Sequence, residues 1–328
     1  MTQTDQIDPA DIDPDRIDAE AAADDTISFS RHGYERRRPT WDDSDMAAVA
    51  GRTVVVSGGT AGVGRGVSES LAALGAHVVM LGRDQGRGET AAREIREATG
   101  NQRVEWVQLD LSSLDSVRST ASHLLERFPQ IHVLVNNAGG MWDAREQSVD
   151  GIEMTWATNL VGPYLLTELL LDRIAASGGG RIIEMTSGGA YSQRLELGEL
   201  NGTSEEFEPK AVYSRTKRAQ IILTELRGAD LADRGIVAHV THPGWTDTPG
   251  LRDTVAMESF VRRFESDLRT LEQGADTAVW LASADEPGRT TGLFWHDRRP
   301  RETHRTEATR ETEQDRRELV DTLRRLVG

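Results

Sequence analysis

The stretch that most limits what this chain can fold into is a glycine-rich turn between a strand and a helix. The β-branched run at residues 53–56 predicts a buried strand, and an amphipathic helix is predicted to continue as far as Leu74. The turn between them has the sequence SGGTAGVG, residues 57–64. Glycines permit a tight turn and a close approach of backbone to a pyrophosphate, and a helix N-terminus attracts the anion. The stretch therefore predicts a dinucleotide-binding unit.

Strands and helices alternate along the rest of the chain. The apolar or β-branched runs that predict further strands are residues 77–81, 104–109, 131–135, 181–187, 236–240 and 292–295. Such alternation is typical of a parallel sheet with right-handed crossovers. The predicted fold is α/β: a single Rossmann-type doubly wound parallel sheet over residues 51–296, with an N-terminal arm and a C-terminal helix.

The two ends of the chain differ in character from this domain. Residues 1–26 are rich in Asp and Ala and predict a disordered acidic tail. Residues 27–50 contain Phe29, Tyr34 and Trp41 and predict an arm laid over the domain. Residues 297–328 form a C-terminal extension with a predicted terminal helix.

Two predicted helices bear on function. The segment 152–174 is predicted as one helix with Asn159 in its interior, where Asn is unfavourable and needs a reason such as surface exposure. The segment 253–271 is predicted as an amphipathic helix whose apolar stripe belongs to the core or to a lid.

Charge and cysteine content exclude several kinds of function. A net charge of −16 disfavours binding to nucleic acid or to an anionic membrane. No apolar run is long enough for a membrane span, and no secretion signal precedes the domain, so we expect a cytoplasmic protein. The absence of Cys removes thiol chemistry and Cys-based metal sites, and we predict no metal. The acidity favours adaptation to high salt over a merely acidic mesophilic protein.

A Tyr and a Lys four residues apart are the strongest catalytic candidates. Tyr213 and Lys217 lie on one face of a predicted helix, where an ammonium group lowers the pKa of a phenol. A Tyr and a Lys can stand four residues apart in a helix by chance, but Lys is rare in this chain. Of its 38 basic residues only Lys210 and Lys217 are Lys. A compact, rotatable ammonium is therefore expected to matter at residue 217.

The end of the second strand predicts the cofactor. An acidic residue there would bind the hydroxyls of an adenine ribose, but this chain has Gly82 followed by Arg83. A guanidinium matches a 2′-phosphate, so we predict that NADP(H) is preferred over NAD(H). The alternative is that Arg83 is a solvated loop residue.

The motifs together resemble the short-chain dehydrogenase/reductase (SDR) family, and most closely its retinol-dehydrogenase-like branch. The resemblance covers residues 51–295 through the glycine turn, the Asn136–Gly139 motif, the Tyr213/Lys217 pair and Pro243-Gly244. It extends to the stretches YSRTKRAQIILTEL, HPGWTDTPG and EQGADTAVWLA, to the arm FSRHGYERR and to the ending FWHDRRP. It implies a homo-oligomer and a small-molecule substrate that is an alcohol or a carbonyl compound. The resemblance to this branch implies that the substrate is hydrophobic.

The resemblance also implies the site residues. Those with catalytic roles are Asn159, Ser187, Tyr213 and Lys217. Those expected to bind the cofactor are Ser57, Gly58, Thr60, Gly62, Val63, Gly64, Arg83, Asp110, Leu111, Asn137, Ala138, Gly139, Tyr213, Lys217, Pro243, Gly244, Thr246 and Thr248. In these roles Tyr213 is the general acid/base, Ser187 polarises the substrate oxygen, and Asn159 holds a relay water near Lys217.

Two departures from the family pattern leave alternatives open. Ser57 replaces the usual Thr but keeps a hydroxyl, and the interval from Ser187 to Tyr213 is long. A cofactor-binding regulator with little turnover is one alternative function. A nucleotide-sugar epimerase or dehydratase, which shares the Tyr–Lys pair, is another.

Overall fold

The central feature of the fold is a mostly parallel sheet. The structure is a computed structural model that describes residues 13–200 and 206–328. Within them the sheet has eight strands in the order β3-β2-β1-β4-β5-β6-β7-β8. The strands are Thr53–Ser57 (β1), His77–Gly82 (β2), Val104–Gln108 (β3), Val133–Asn136 (β4), Gly180–Met185 (β5), Ile236–Thr241 (β6), Leu293–His296 (β7) and Arg299–Pro300 (β8). Strands β1 to β7 are parallel and β8 is antiparallel to β7, so the predicted doubly wound sheet is confirmed.

Helices cover both faces of this sheet. In chain order they are Pro14–Ala22 (α1), Asp25–Phe29 (α2), Arg31–Arg37 (α3), Gly62–Ala73 (α4), Gln85–Thr99 (α5), Leu114–Arg127 (α6), Met154–Trp156 (α7), Gly162–Ala175 (α8), Pro209–Leu231 (α9), Pro249–Asp253 (α10), Glu258–Phe264 (α11), Leu271–Ser283 (α12) and Glu313–Val327 (α13). None of the helices in the described ranges combines the length and the apolar character that crossing a membrane requires.

Strand side chains alternate between the two faces, so each central strand contributes to two cores. Val55, Leu134 and Ile182 pack with α6, α8 and α9 on one face. Val54 and Ile183 pack with α4, α5 and α12 on the other. Burial on both faces explains why these strands are continuous apolar runs rather than alternating ones.

The helix predicted over residues 152–174 is present as helical turns from Met154 to Ala175, with a π-helical stretch just before Pro163. Residues 157–161 form a π-helix, and α8 begins only at Gly162. Proline has no N–H to donate to the carbonyl of Asn159, four residues earlier. Gln220 on α9 supplies the missing donor, with Nε2 3.0 Å from that oxygen. Asn159 is fully buried, so surface exposure is not the reason for an Asn at this position.

The segment predicted as one amphipathic helix, residues 253–271, is also broken. It contains the short helix α11 with 3₁₀ turns on either side. The carboxylate of Asp143 accepts hydrogen bonds from the N–H groups of Val255 and Ala256, at 3.1 and 3.0 Å, which ties this segment to the loop after β4. Val255 is 71 % exposed, so the predicted apolar stripe is not simply core.

The structure differs from the expected disordered tail over residues 13–26. Asp13 caps α1 through its side chain, and α2 begins at Asp25. Asp18 on α1 forms ion pairs with Arg37 at 2.7 Å and with Arg301 at 2.6 Å. These contacts supply the partners that acidic composition alone does not reveal. Residues 1–12 of the predicted tail lie outside the described residues.

A buried charge network fastens the arm to the domain. Asp297, in the turn between β7 and β8, binds Arg37 at 2.8 Å and Arg269 at 2.6 Å. Although burial would raise the pKa of Asp297, these guanidinium groups hold it below its usual range. Arg269 also donates to the carbonyl oxygens of Ser28, Phe29 and Ser30, at 2.9 to 3.1 Å. The arm is thereby bound to the segment that follows β6.

We expect Arg37→Met to lower the free energy of unfolding by about 3–5 kcal/mol, because it leaves Asp297 buried without one of its partners. Urea denaturation measures the change. Arg38→Met is the matched control, since the neighbouring Arg38 pairs with Asp43 at the surface and both side chains are about 40 % exposed. A loss for Arg37→Met no larger than that of the control would contradict a structural role for the network.

Candidate active site

The glycine turn after β1 is packed so closely that larger residues do not fit. Gly58 has a φ of +65°, and a Cβ there would lie 2.9 Å from the Cα of Ala138. A Cβ on Gly64 would lie 2.2 Å from the carbonyl oxygen of Gly58 and 2.3 Å from Nδ2 of Asn137. The turn and the loop after β4 therefore touch, as expected for two strand ends at one edge of a parallel sheet.

Ser57 and Asn137 join these two strand ends. The Ser57 hydroxyl accepts hydrogen bonds from the N–H groups of Asn137 and Ala138, both at 3.1 Å. Asn137 in return donates from Nδ2 to the carbonyl of Ser57 at 3.0 Å. Ser57 is fully buried, so its hydroxyl shapes the turn rather than facing a ligand.

The N-terminus of α4 is suited to an anion. Its N-cap, Ala61, makes no side-chain capping bond, whereas Asp84 caps α5 and Ser113 caps α6. The first N–H groups of α4 therefore have no side-chain acceptor, and the helix dipole adds positive potential. A Cβ on Gly62 would lie 3.5 Å from Thr248, so the loop after β6 closes over this turn. Backbone donors and a cradle without Cβ atoms fit a dinucleotide pyrophosphate.

Lys217 lies buried where β4 and β5 end. Its Nζ donates to the carbonyl of Met185 at 2.9 Å, and a Cβ on Gly139 would lie 3.2 Å from Nζ. Burial lowers the pKa of Lys217 to about 8, and the negative charge of Glu184 acts in the opposite direction. The ammonium group is thus close to the midpoint of its titration at slightly alkaline pH.

Tyr213 meets both Lys217 and Ser187. Nζ of Lys217 lies 5.5 Å from the centre of the Tyr213 ring. Burial raises the pKa of Tyr213, while a side-chain hydrogen bond with Ser187 acts to lower it. The net direction is opposite to the one expected from the Tyr–Lys spacing alone, because desolvation of the phenolate outweighs the favourable contacts. In this structure Tyr213 is a phenol at neutral pH.

Asn159 fixes the loop after β4 beside these groups. Its Oδ1 accepts from the N–H of Gly140 at 2.8 Å, and its Nδ2 donates to the carbonyl of Gly140 at 2.9 Å. Nδ2 also donates to the hydroxyl of Thr216 at 3.0 Å. Asn159 therefore holds Gly139 and Gly140 against the helix that carries Tyr213 and Lys217.

The remaining predicted residues lie in the loop after β6, at the ends of β2 and β3, and on α4. The loop after β6 carries Pro243, Gly244, Thr246 and Thr248, of which Thr248 faces the glycine turn. At the far end, Arg83 is exposed after β2, beside Gly82 and Thr60. Val63 is half-buried on α4, Leu111 is buried after β3, and Oδ1 of Asp110 is bound by the backbone and hydroxyl of Ser112.

Two contributors were missed by the sequence analysis. Glu184, a buried carboxylate within β5, lies next to Met185; an acid inside an apolar strand was the signal that could have found it. Phe29 of the arm packs against Gly188, where a Cβ would lie 2.9 Å from the ring, and its carbonyl accepts from the N–H of Trp245 at 2.7 Å. Phe29 comes near Gly188 and Trp245 only through tertiary contacts, for which the sequence gives no signal.

A glycine turn suited to an anion, beside Tyr213, Lys217 and Ser187 at the carboxyl edge of a parallel sheet, is typical of dinucleotide-dependent oxidoreductases. Comparisons with known proteins agree. The family model described as short chain dehydrogenase matches residues 52–259. Dehydrogenase/reductase SDR family member 12 from Bos taurus is 36 % identical over 306 residues, which cover 90 % of this chain and 94 % of the relative.

Two further relatives agree with this assignment. Retinol dehydrogenase 13 from Homo sapiens is 31 % identical, over 76 % of this chain and 77 % of its own length. The crystal structure of a gluconate 5-dehydrogenase from Burkholderia cenocepacia J2315 superposes with a TM-score of 0.60 at 25 % identity, over 77 % of this chain and 96 % of that one. The chain belongs to the short-chain dehydrogenase/reductase family, in its retinol-dehydrogenase-like branch, and is an NAD(P)-dependent oxidoreductase.

Gly64→Ala tests the packing of the glycine turn. The added Cβ must displace Gly58 or Asn137, at a cost of about 1–3 kcal/mol, so we expect dinucleotide affinity to fall by about tenfold or more. Fluorescence titration with NADPH measures the affinity. Gly250→Ala is the control, because a Cβ there meets nothing within 4 Å. Unchanged affinity in the Gly64 variant would show that the turn does not shape the binding site.

Proposed function

We propose that the chain interconverts an alcohol and a carbonyl compound, with NADP(H) as the preferred cofactor and Tyr213 as the general acid/base. The observation that carries this proposal is the meeting of Tyr213 with the hydroxyl of Ser187 and the ammonium of Lys217 at one strand edge. A donor hydroxyl, a proton-transferring phenol and a buried cation are the groups that carbonyl reduction requires.

The raised pKa of Tyr213 keeps this residue in the phenol form, which is the form that acts as the acid in carbonyl reduction. A protonated phenol donates a hydrogen bond to a carbonyl oxygen and then transfers its proton as negative charge develops there. Ser187 polarises the same oxygen, and Lys217 stabilises the phenolate left behind. Asn159 holds the loop against which the substrate rests and is the proposed site of a relay water. The nicotinamide, when bound, exchanges a hydride with the carbonyl carbon.

The residues proposed to hold the cofactor follow the carboxyl edge of the sheet. Gly58, Thr60 and the start of α4 (Gly62, Val63, Gly64) are assigned to the pyrophosphate, with Ser57 supporting the turn. Asp110 and Leu111 are assigned to the adenine. Asn137, Ala138 and Gly139, with Tyr213 and Lys217, are assigned to the nicotinamide ribose, and Pro243, Gly244, Thr246 and Thr248 to the carboxamide and phosphates.

An apolar substrate is supported by aromatic residues after β6. Trp245 lies 5.2 Å from Phe260 and 4.6 Å from Phe264 between ring centres, and all three are partly exposed. Such a surface suits a hydrophobic alcohol or carbonyl compound. The name of the relative retinol dehydrogenase 13 specifies retinol, an alcohol, which agrees with this substrate class.

Tyr213→Phe tests the catalytic role. We expect kcat to fall by at least about 100-fold, because the general acid is lost, while NADPH affinity stays within about twofold of wild type, a change of less than about 0.5 kcal/mol. Turnover is measured with a panel of apolar aldehydes and ketones. Tyr164→Phe, which removes a hydroxyl from α8 instead, is the control and should retain activity. Near-normal turnover in the Tyr213 variant would remove this residue from the mechanism.

Arg83 is proposed to select NADP(H) over NAD(H). Arg83 is exposed directly after β2, so its guanidinium is accessible to a 2′-phosphate. The gluconate 5-dehydrogenase relative is described in complex with NADP, which supports this choice.

Fluorescence titration with NADPH and NADH in high salt measures the preference. We expect tighter binding of NADPH by the wild type, and Arg83→Ala should weaken NADPH binding by about tenfold or more without affecting NADH, since about 1.4 kcal/mol corresponds to tenfold. Arg93→Ala, at an exposed position of α5, is the control. A wild-type preference for NADH would contradict the proposal.

Tight binding without turnover would favour a regulator, and turnover without net cofactor oxidation would favour an epimerase or dehydratase.

Three further interpretations of the sequence stay predictions. A homo-oligomer is testable by mass in solution, and stability as a function of salt concentration tests the adaptation to high salt. A cytoplasmic location is testable by cell fractionation.

A further inference from the structure

A buried carboxylate lies behind the catalytic Lys, and the proposed mechanism does not use it. Glu184 is 4 % exposed within β5. Its Oε1 accepts from Nδ2 of Asn136 at 2.8 Å and from Nη1 of Arg227 at 3.1 Å. Placing an acid inside an apolar strand costs desolvation energy, which raises the pKa of Glu184; Arg227, Asn136 and Lys217 act to lower it.

The backbone connects Glu184 directly to the active site. Nζ of Lys217 donates to the carbonyl of Met185, the next residue along β5. Asn136, which binds the carboxylate, immediately precedes the loop whose Gly139 packs against the same Nζ. Glu184 therefore precedes the residue whose carbonyl binds the ammonium group of Lys217, and its carboxylate binds the residue at which the Gly139 loop begins.

Uncharged groups face this ammonium group from the neighbouring elements. Tyr213 lies on the same helix, and the loop after β4 and the π-helix face Nζ with the uncharged residues Gly139 and Asn159. Arg227 also pairs with Glu168 at 3.2 Å on the outer side of α8, where that carboxylate is 39 % exposed. Arg227 pairs with the buried carboxylate of Glu184 at 3.1 Å, and the charge of Lys217 interacts electrostatically with the same carboxylate.

We propose that Glu184 is a positioning residue for the active site, whose buried carboxylate keeps Lys217 in its ammonium form. This inference rests on the proposed function of Lys217. Burial alone favours the neutral amine, which would donate to Met185 but would not stabilise a phenolate on Tyr213. If the pair of Glu184 and Arg227 had a purely structural role, removing the charge of Glu184 would leave the protonation of Lys217 unchanged.

The lysine content of the chain permits a direct test. Only Lys210 and Lys217 are present, so protein labelled with [ε-¹³C]lysine gives two Cε signals by NMR. Lys210 is exposed and serves as an internal reference, and Lys210→Arg assigns the signals. In the wild type we expect Lys217 to titrate with a pKa of about 8. Glu184→Gln should lower this midpoint by about one pH unit, the low end of the effect of a nearby opposite charge.

Two variants keep the test decisive. Glu168→Gln removes the outer carboxylate of the same network and should leave the midpoint within about 0.3 units, the effect of a screened surface charge. If Glu184→Gln does not fold, Glu184→Leu/Arg227→Met replaces the buried ion pair by apolar residues, an exchange that proteins tolerate. It should still lower the midpoint, because Glu184 is the charge that opposes the effect of burial on Lys217. An unchanged Lys217 midpoint in either folded variant overturns the proposal.

This titration needs no substrate, so its failure is distinguishable from failure of the proposed function. If Tyr213→Phe retains turnover while Glu184→Gln lowers the midpoint, the electrostatic role stands and the assigned mechanism is wrong. If both hold, the alkaline limb of the pH profile of kcat should move with the Lys217 midpoint in the Glu184 variant. A limb that does not move would show that the charge of Lys217 is irrelevant to turnover and would overturn the positioning role.

Discussion

The whole site depends on how backbone groups are satisfied where the parallel strands end. Beyond the last ladder bond, amide and carbonyl groups have no strand partner and must bind side chains or ligands. Ser57 binds the N–H groups of Asn137 and Ala138, Asn159 binds both backbone groups of Gly140, and Lys217 binds the carbonyl of Met185. The polar side chains that complete the sheet edge therefore also shape the candidate active site.

Buried arginines extend this principle to the rest of the molecule. Arg37 and Arg269 share Asp297, and Arg227 binds Glu184. A planar guanidinium with five donors satisfies several acceptors at once, which suits buried positions where each unpaired acceptor would be costly. Arg269 joins three carbonyl oxygens of the arm to the turn at Asp297. The arm consequently borders the candidate active site, because Phe29 packs against both Gly188 and Trp245.

Much of the fold and the location of the site could be predicted, because both rest on local patterns. The strand runs, the turn at residues 57–64 and the alternation of strands with helices predicted the sheet that the structure contains. Two predicted helices depart from their expected form where distant partners bind them. Gln220 donates to the carbonyl of Asn159 that Pro163 leaves without a helical partner, and Asp143 binds the N–H groups after residue 253. Helical periodicity carries no information about such contacts.

The sequence by itself determined the fold class, the family and the residue types of the site, since periodicity, glycine spacing and the Tyr213/Lys217 interval are properties of short stretches. Only the tertiary structure decided the electrostatic balance. Burial raises the pKa of Tyr213 and lowers that of Lys217, and Glu184 opposes the second shift. Spacing within one helix predicts which groups are neighbours. Desolvation depends on everything packed around them, and that is set by strands and helices far apart in the chain.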